Sequence, residues 1–303
     1  MNKIAIAIHG GASKDSTFIR QNLERYEAGL KEAALAGYEV LKSGGTAIDA
    51  VTSAVMALEN NEIFNAGKGA ALTNKGRVEL DASIMNGADS KAGAVAMATQ
   101  VKNPILLARA VMEKTNHVML ASDGALEFAK QMALPLEDES YFITPHQERE
   151  LLQEESSSFE DQLKKPTKGT VGAVALDIDG NLASATSTGG TAGSLTGRVG
   201  DSCIIGAGCY ANNKTCAVSG TGDGEFIITG VIAHSISMLM ELKQISLQEA
   251  CDEVIFERNS NSGADIGVVS VDGEGNIGIA FNCERMHRAW IGADGNLEVK
   301  IYK

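Results

Sequence analysis

At Gly169-Thr170 the chain changes character within two residues. Upstream, from about residue 137 to 168, it is polar and charged, with clustered serines (Gln153-Glu-Glu-Ser-Ser-Ser-Phe-Glu-Asp161) and a basic end (Lys164-Lys-Pro-Thr-Lys168). That composition predicts a flexible linker. Downstream, Thr170-Val-Gly-Ala-Val-Ala-Leu-Asp177 reads as a buried strand, Asp179-Gly180 as a hairpin turn and 181–187 as the returning strand. The same device recurs at 266–271 and 276–281 around a glycine-rich turn. A threonine hydroxyl inside a chain is a poor nucleophile. A cut before Thr170 would give it a free α-amine of pKa ~7.7–8.0, able to take the hydroxyl proton, so one residue would serve as nucleophile and base. Read alone, the seam more simply describes a threonine that opens a strand after a glycine turn.

The rest of the pattern predicts strands in hairpins and helices in pairs. Residues 3–9 read as a strand stopping at Gly10-Gly11. Residues 20–41 carry apolar side chains at helical spacing (Leu23, Tyr26, Leu30, Ala33, Ala34, Tyr38, Leu41) and end in Lys42-Ser43-Gly44-Gly45. Thr46 offers an N-cap for a helix through Leu58, 78–84 and 92–98 read as strands, and Pro104 opens a helix to 114. Two more helices are expected at 226–242 and 247–257. The 33 glycines against 4 prolines suit tight turns and close backbone approach rather than a helical bundle. The class is α+β, helices layered on antiparallel sheets.

Several functions are excluded by composition. With 26 basic and 39 acidic residues, a net charge of −13, the chain has no basic stripe for nucleic acid or an anionic membrane. The apolar stretch at the N-terminus is shorter than the ~7–15 residues of a signal core, and no run is expected to approach the ~20 of a membrane span. Cys203, Cys209, Cys216, Cys251 and Cys283 are odd in number and form no C-x-x-C pair, which reads as free thiols in a reducing, cytoplasmic setting. The five scattered histidines match no zinc motif, and neither His9-Gly-Gly-Ala-Ser-Lys14 nor Asn65-Ala-Gly-Lys68 fits a phosphate loop.

Three clusters lie downstream of the seam. Thr186-Ser-Thr-Gly-Gly190 and Ser219-Gly-Thr-Gly-Asp-Gly224 supply hydroxyl and backbone N–H donors of the kind a developing oxyanion needs, or simply turn chemistry. Gly197-Arg-Val-Gly-Asp201 sets a guanidinium three residues from a carboxylate. Such a pair can hold the α-carboxylate and α-amine of an amino acid, or form a surface ion pair.

Together these segments resemble the plant-type L-asparaginase/isoaspartyl peptidase family of N-terminal-nucleophile hydrolases. The matching pieces include Ile6-Ala-Ile-His-Gly-Gly-Ala12, Phe64-Asn-Ala-Gly-Lys-Gly69, Leu80-Asp-Ala-Ser-Ile-Met-Asn-Gly87, the stretch from Gly169 through Asn213, and Met286-His-Arg-Ala-Trp290. The resemblance implies a four-layer αββα sandwich over 1–303 that cuts itself at Gly169-Thr170 into 1–169 and 170–303 and assembles as a homodimer of cleaved protomers. It makes Thr170 the nucleophile and Thr188 its hydrogen-bond partner, with Thr221 and the N–H of Gly222 forming the oxyanion hole. Arg198 and Asp201, assisted by Gly222 and Gly224, hold the substrate, and Asn65 lies near the nucleophile. Backbone carbonyls of Leu58, Glu59, Asn61, Phe64, Ala66 and Lys68 bind a structural sodium ion, and no cofactor serves catalysis. The implied substrates are L-asparagine and β-aspartyl dipeptides. Two positions depart from the pattern: Asp223, where an uncharged residue or histidine is expected, and Gly220, where cysteine or threonine is common. The rivals are a glycosylasparaginase, disfavoured by glycine rather than aspartate before the threonine, a threonine endopeptidase, and an amino-acid-binding relative that never matures.

Overall fold

Nine consecutive buried residues, Ala5–Ser13, form strand β1 at the middle of the molecule. The computed structural model describes residues 3–155, 169–260 and 262–303. The strand does not stop at Gly10-Gly11 but runs through them, with a register irregularity between His9 and Ala12. The two glycines serve close approach. A Cβ at Gly10 would lie 2.5 Å from the Phe64 ring, and one at Gly11 3.1 Å from the Gly169 Cα.

The next helices follow the apolar spacing. A short α1 (Thr17–Gln21), capped by Ser16, precedes α2 (Leu23–Lys42), so the expected helix is split at Asn22. The Thr46 hydroxyl accepts from the Asp49 N–H and caps α3 (Ala47–Glu59). Strands β2 (Leu80–Asn86) and β3 (Ala92–Ala98) lead into α4 (Pro104–Lys114), then β4 (Met119–Ala121) and α5 (Ser122–Gln131). The segment expected to be a linker is helical as far as it is described. It forms α6 (Glu139–Phe142), which buries Phe142 completely, and α7 (Pro145–Glu155). Residues 156–168 lie outside the described residues.

After the seam come β5 (Val171–Leu176), β6 (Leu182–Thr188), β7 (Cys209–Ala211), β8 (Cys216–Gly222), β9 (Ile266–Asp272), β10 (Ile277–Phe281), β11 (Arg285–Ile291) and β12 (Leu297–Tyr302). Among the described residues they form an eight-stranded sheet, β12-β11-β1-β5-β6-β2-β3-β4, and a four-stranded one, β10-β9-β8-β7. All pairings are antiparallel except β3 with β4. The sheets face each other across small residues such as Ala5, Ala7, Val174, Ala217 and Val269. Helices α2 to α5 cover the outer face of the large sheet, and Gly224–Gly230, Ile232–Lys243 and Leu247–Asp252 cover the small one. This is an α+β sandwich of four layers, αββα.

The stretch Gly224–Lys243 is long and apolar enough to cross a membrane by length and composition alone, against the expectation from sequence that no run approaches that length. It is broken at Val231, a left-handed residue (φ 46°), and buries Ile227, Ile232, Ala233 and Ile236 in the core of the small sheet. It is a layer of the fold. All five cysteines are buried and unpaired.

Candidate active site

Gly169 and Thr170 sit where β1, β5, β6 and β8 converge. Gly169 is left-handed (φ 78°), a backbone that favours glycine. Its carbonyl accepts from the Asn65 amide at 2.7 Å and from the Thr188 hydroxyl at 3.1 Å. Thr188 lies at the end of β6, and Asn65 is fixed in turn by the Ala71 N–H on its Oδ1 at 2.8 Å. Two donors thus point at one carbonyl oxygen, the arrangement that stabilises an oxyanion there. The Ser202 hydroxyl stands 3.5 Å from the Thr170 Oγ.

The Thr170 carbonyl is held from the other side. It accepts from His9 Nδ1 at 3.0 Å and, at 3.4 Å, from the Thr221 hydroxyl. A carbonyl only accepts, so Nδ1 carries the proton and Nε2 accepts from Ser219 at 2.8 Å. Complete burial pushes the His9 pKa down to about 3, so the ring is neutral. His9 was not among the site residues expected from sequence; its only signal was adjacency to the two glycines.

Asp201 is 3% exposed, and burial raises its pKa to about 7 although the Arg198 charge lowers it. Its Oδ2 is buried with no hydrogen-bond partner among the described residues. Leaving such an acceptor unpaired costs about 1–3 kcal/mol, more for a charged group, so the position calls for a donor from outside. Glycines clear the space around it. A Cβ at Gly208 would lie 2.6 Å from Oδ2, and one at Gly224 2.8 Å from both Oδ1 and the Arg198 Nη2. Arg198 pairs with Glu225 at 2.9 Å rather than with Asp201. Asp81 braces this loop, accepting from the Met97 and Gly200 N–H groups at 2.9 and 3.0 Å.

Thr170, Thr188, Arg198, Asp201, Gly222 and Gly169 line one small cavity, together with Gly190 and Thr191. Thr191, missed in the sequence, contributes a second buried oxygen with no partner among the described residues. The space inside is about 10 Å³, one water's worth. Asp223 is engaged elsewhere: its carboxylate accepts from the Asp265 N–H at 2.9 Å and its own N–H donates to the Asp265 carbonyl at 2.8 Å. Gly222 (φ 127°) is needed there, because a Cβ would fall 2.0 Å from the same carbonyl. At Gly220 a Cβ would meet only ordinary contacts, the nearest at 3.7 Å.

The loop after α3 is a string of tight turns. The Asn61, Phe64 and Ala66 carbonyls each accept one backbone N–H, at 3.0–3.2 Å, and each keeps a second lone pair, whereas the Leu58 carbonyl accepts from both Asn60 and Asn61. Glycines let the carbonyls crowd in. A Cβ on Gly67 would lie 2.5 Å from the Glu59 oxygen, and one on Gly69 2.1 Å from that of Phe64. Carbonyls at a helix C-terminus carry partial negative charge, so the donor set fits a hard cation. The Glu59 side chain is fully buried and accepts from the Ser187 hydroxyl (2.7 Å), the Ile105 N–H (3.0 Å) and the Asn103 amide (3.1 Å). Burial pushes it up to about 8 despite these donors. Among the described residues no three His, Cys, Asp or Glu side chains form a metal-holding group.

Residues 2–301 match the sequence pattern of the family described as asparaginase. The chain is 44% identical to the isoaspartyl peptidase of Escherichia coli K12, covering all of this chain and 97% of that one. It is 42% identical to the isoaspartyl peptidase/L-asparaginase of Xenopus laevis, over 99% of this chain and 96% of that one. Against a probable isoaspartyl peptidase/L-asparaginase of Arabidopsis thaliana the identity is 39%, over 99% of each. A likeness running from one end of the chain to the other leaves no layer of the sandwich outside it: the chain belongs to the asparaginase family and is a hydrolase.

Proposed function

We propose that this protein cuts itself between Gly169 and Thr170 and then hydrolyses the β-amide of L-asparagine and of β-aspartyl dipeptides. The observation that carries the reading is the Gly169 carbonyl, held by two donors beside a threonine hydroxyl and sharing a cavity with Asp201, whose Oδ2 has no partner among the described residues. In the first step the Thr170 Oγ attacks the Gly169 carbonyl carbon, and Asn65 and Thr188 receive the oxyanion. The C–N bond breaks, the acyl group passes from nitrogen to oxygen, and water hydrolyses the ester. The products are 1–169 and 170–303, the second of 303 − 169 = 134 residues. A cavity of about 10 Å³ admits no amino acid, so in this reading the cut precedes substrate.

The freed α-amine of Thr170 then takes the hydroxyl proton, and Oγ attacks the β-amide carbon. Thr221, whose present bond to the Thr170 carbonyl is long, and the Gly222 N–H stabilise the tetrahedral oxyanion, each donor being typically worth ~3–4 kcal/mol. Ammonia or the peptide amine leaves with the proton, and water releases aspartate from the ester. Arg198 exchanges Glu225 for the substrate α-carboxylate, and Asp201 accepts from the α-ammonium. Carbonyls of Leu58, Glu59, Asn61, Phe64, Ala66 and Lys68 would hold a sodium ion, which fixes the turn carrying Asn65. Pairing of cleaved protomers in the cytoplasm completes the reading. Phe226, Val231 and Leu242, 41%, 44% and 74% exposed on the outer helices, are apolar surface available to such a pairing.

Intact mass spectrometry tests it. Two masses matching 1–169 and 170–303 are expected, with Thr170→Ala remaining whole, folded and inactive. A persistent 31.7 kDa wild-type species, or normal turnover by Thr170→Ala, would sink the reading. A panel of asparagine, β-aspartyl dipeptides and glycosylasparagine then separates it from a glycosylasparaginase.

A further inference from the structure

Gly169 is a partition. On one side lies the small cavity of Arg198 and Asp201; on the other Gly169 and Asn65 line a chamber of about 260 Å³ that no step above uses. At ~30 Å³ per water this holds eight or nine waters, about the heavy-atom count of one free amino acid. Its floor comes from β1 and β11 and one wall from α7, through His146, Gln147 and Glu150.

The chamber contains a buried cation to which none of the described residues supplies a counter-ion. Arg285 lines it at 8% exposure, its Nε donating to the Lys14 carbonyl at 3.0 Å and its Nη1 to the His287 Nε2 at 3.3 Å. Among the described residues no carboxylate lies within 4 Å of it. Asp15 also faces the chamber, but its carboxylate is taken by Arg20 at 2.6 Å and by the Tyr302 hydroxyl at 3.2 Å. His287 offers no compensation, because burial and the Arg285 charge keep its ring neutral. A guanidinium taken out of water with only neutral partners is costly, and the ligand that suits its planar fork is a carboxylate.

We infer that this chamber receives the residue that leaves as the amine, and that Arg285 binds its α-carboxylate. The inference rests on the proposed activity and adds the shape of its preferred substrate. A β-aspartyl dipeptide is then held at both ends, the aspartyl carboxylate on Arg198 and the leaving carboxylate on Arg285, with the scissile amide at the position of Gly169 between them. Asparagine, whose leaving group is ammonia, uses only the first arginine.

The test compares β-aspartyl-leucine with its C-terminal amide on the matured wild-type enzyme. The free acid is expected to have a kcat/KM about tenfold higher, mostly through KM, the worth of one charged hydrogen-bonded contact. Equal values for acid and amide overturn the inference while leaving the peptidase activity standing. Failure of the cleaved enzyme to turn over either dipeptide or asparagine defeats the proposed activity itself. In Arg285→Gln the acid-to-amide ratio should fall towards one, and Arg285→Lys should keep part of it; an unchanged ratio in Arg285→Gln overturns the assignment. Cleavage into two chains reports whether each variant folds, and if Arg285→Gln does not mature the wild-type ratio decides alone.

Discussion

Two buried carboxylates behave alike towards protons and differently towards the rest of the molecule. Glu59, at the end of α3, and Asp201, on the loop after β6, are both removed from water and both pushed up, to about 8 and about 7. Glu59 receives three donors from two separate segments, the start of α4 and β6. Asp201 has an oxygen that none of the described residues serves, in a space that glycines keep clear. A satisfied buried acid ties elements together; an unsatisfied one is an instability that a ligand removes. A raised pKa does not separate the two; the hydrogen-bond ledger does.

Removing each acid should therefore do different damage. Asp201→Ala deletes the partner of the substrate ammonium, and the loss of a buried charged contact of about 3–4 kcal/mol corresponds to roughly 10²–10³ in kcat/KM for asparagine. Self-cleavage should continue, because Asn65 and Thr188 are untouched. Near-wild-type turnover by the cleaved variant would place the ammonium elsewhere. Glu59→Ala strands the Ser187, Asn103 and Ile105 donors and opens a cavity, so unfolding free energy should fall by about 3 kcal/mol or more. Glu59→Gln keeps the shape and an acceptor oxygen, and should cost only about 1 kcal/mol. Chemical denaturation of the two variants measures the contrast, and equal losses would mean that volume rather than hydrogen bonding fixes this side chain.

The same contrast explains what the sequence makes legible. Short-range chemistry was readable: the Thr46 cap, the proline opening α4, the two Asp-x-x-Gly hairpins and the donor clusters at strand ends all act within a few residues. What was hidden depends on partners far along the chain. Gly10 and Gly11 look like a strand stop, and only Phe64 and Gly169 packed against them show why the strand passes through. The 137–155 segment reads as linker because its periodicity is weak, yet one aromatic, Phe142, is fully buried and anchors it. The sequence places Arg198 and Asp201 together, but Glu225, which holds Arg198, comes from a separate helix. The charge of Asp223 looks like an intrusion until the Asp265 N–H accounts for it.

The mildest effect discriminates best between the two acids, because it depends on proton occupancy alone. Asp201 must be ionised to accept from an ammonium. With a folded pKa of about 7, its useful form is lost as pH falls below 7. The α-amine of Thr170 must be neutral to act as base, and with a pKa of ~7.7–8.0 it is lost over nearly the same range. Below both values log kcat/KM for asparagine should therefore climb with a slope approaching two per pH unit, since two protons must leave. Asp201→Asn cannot titrate, so its much lower activity should climb with a slope of one. 3-Carbamoylpropanoate, which lacks the α-amine, should show a slope of one even with the wild-type enzyme, because it has nothing for Asp201 to hold. A slope of two with that substrate would mean that the second proton belongs to another group, and the distinction between the two acids would have to be redrawn around that group.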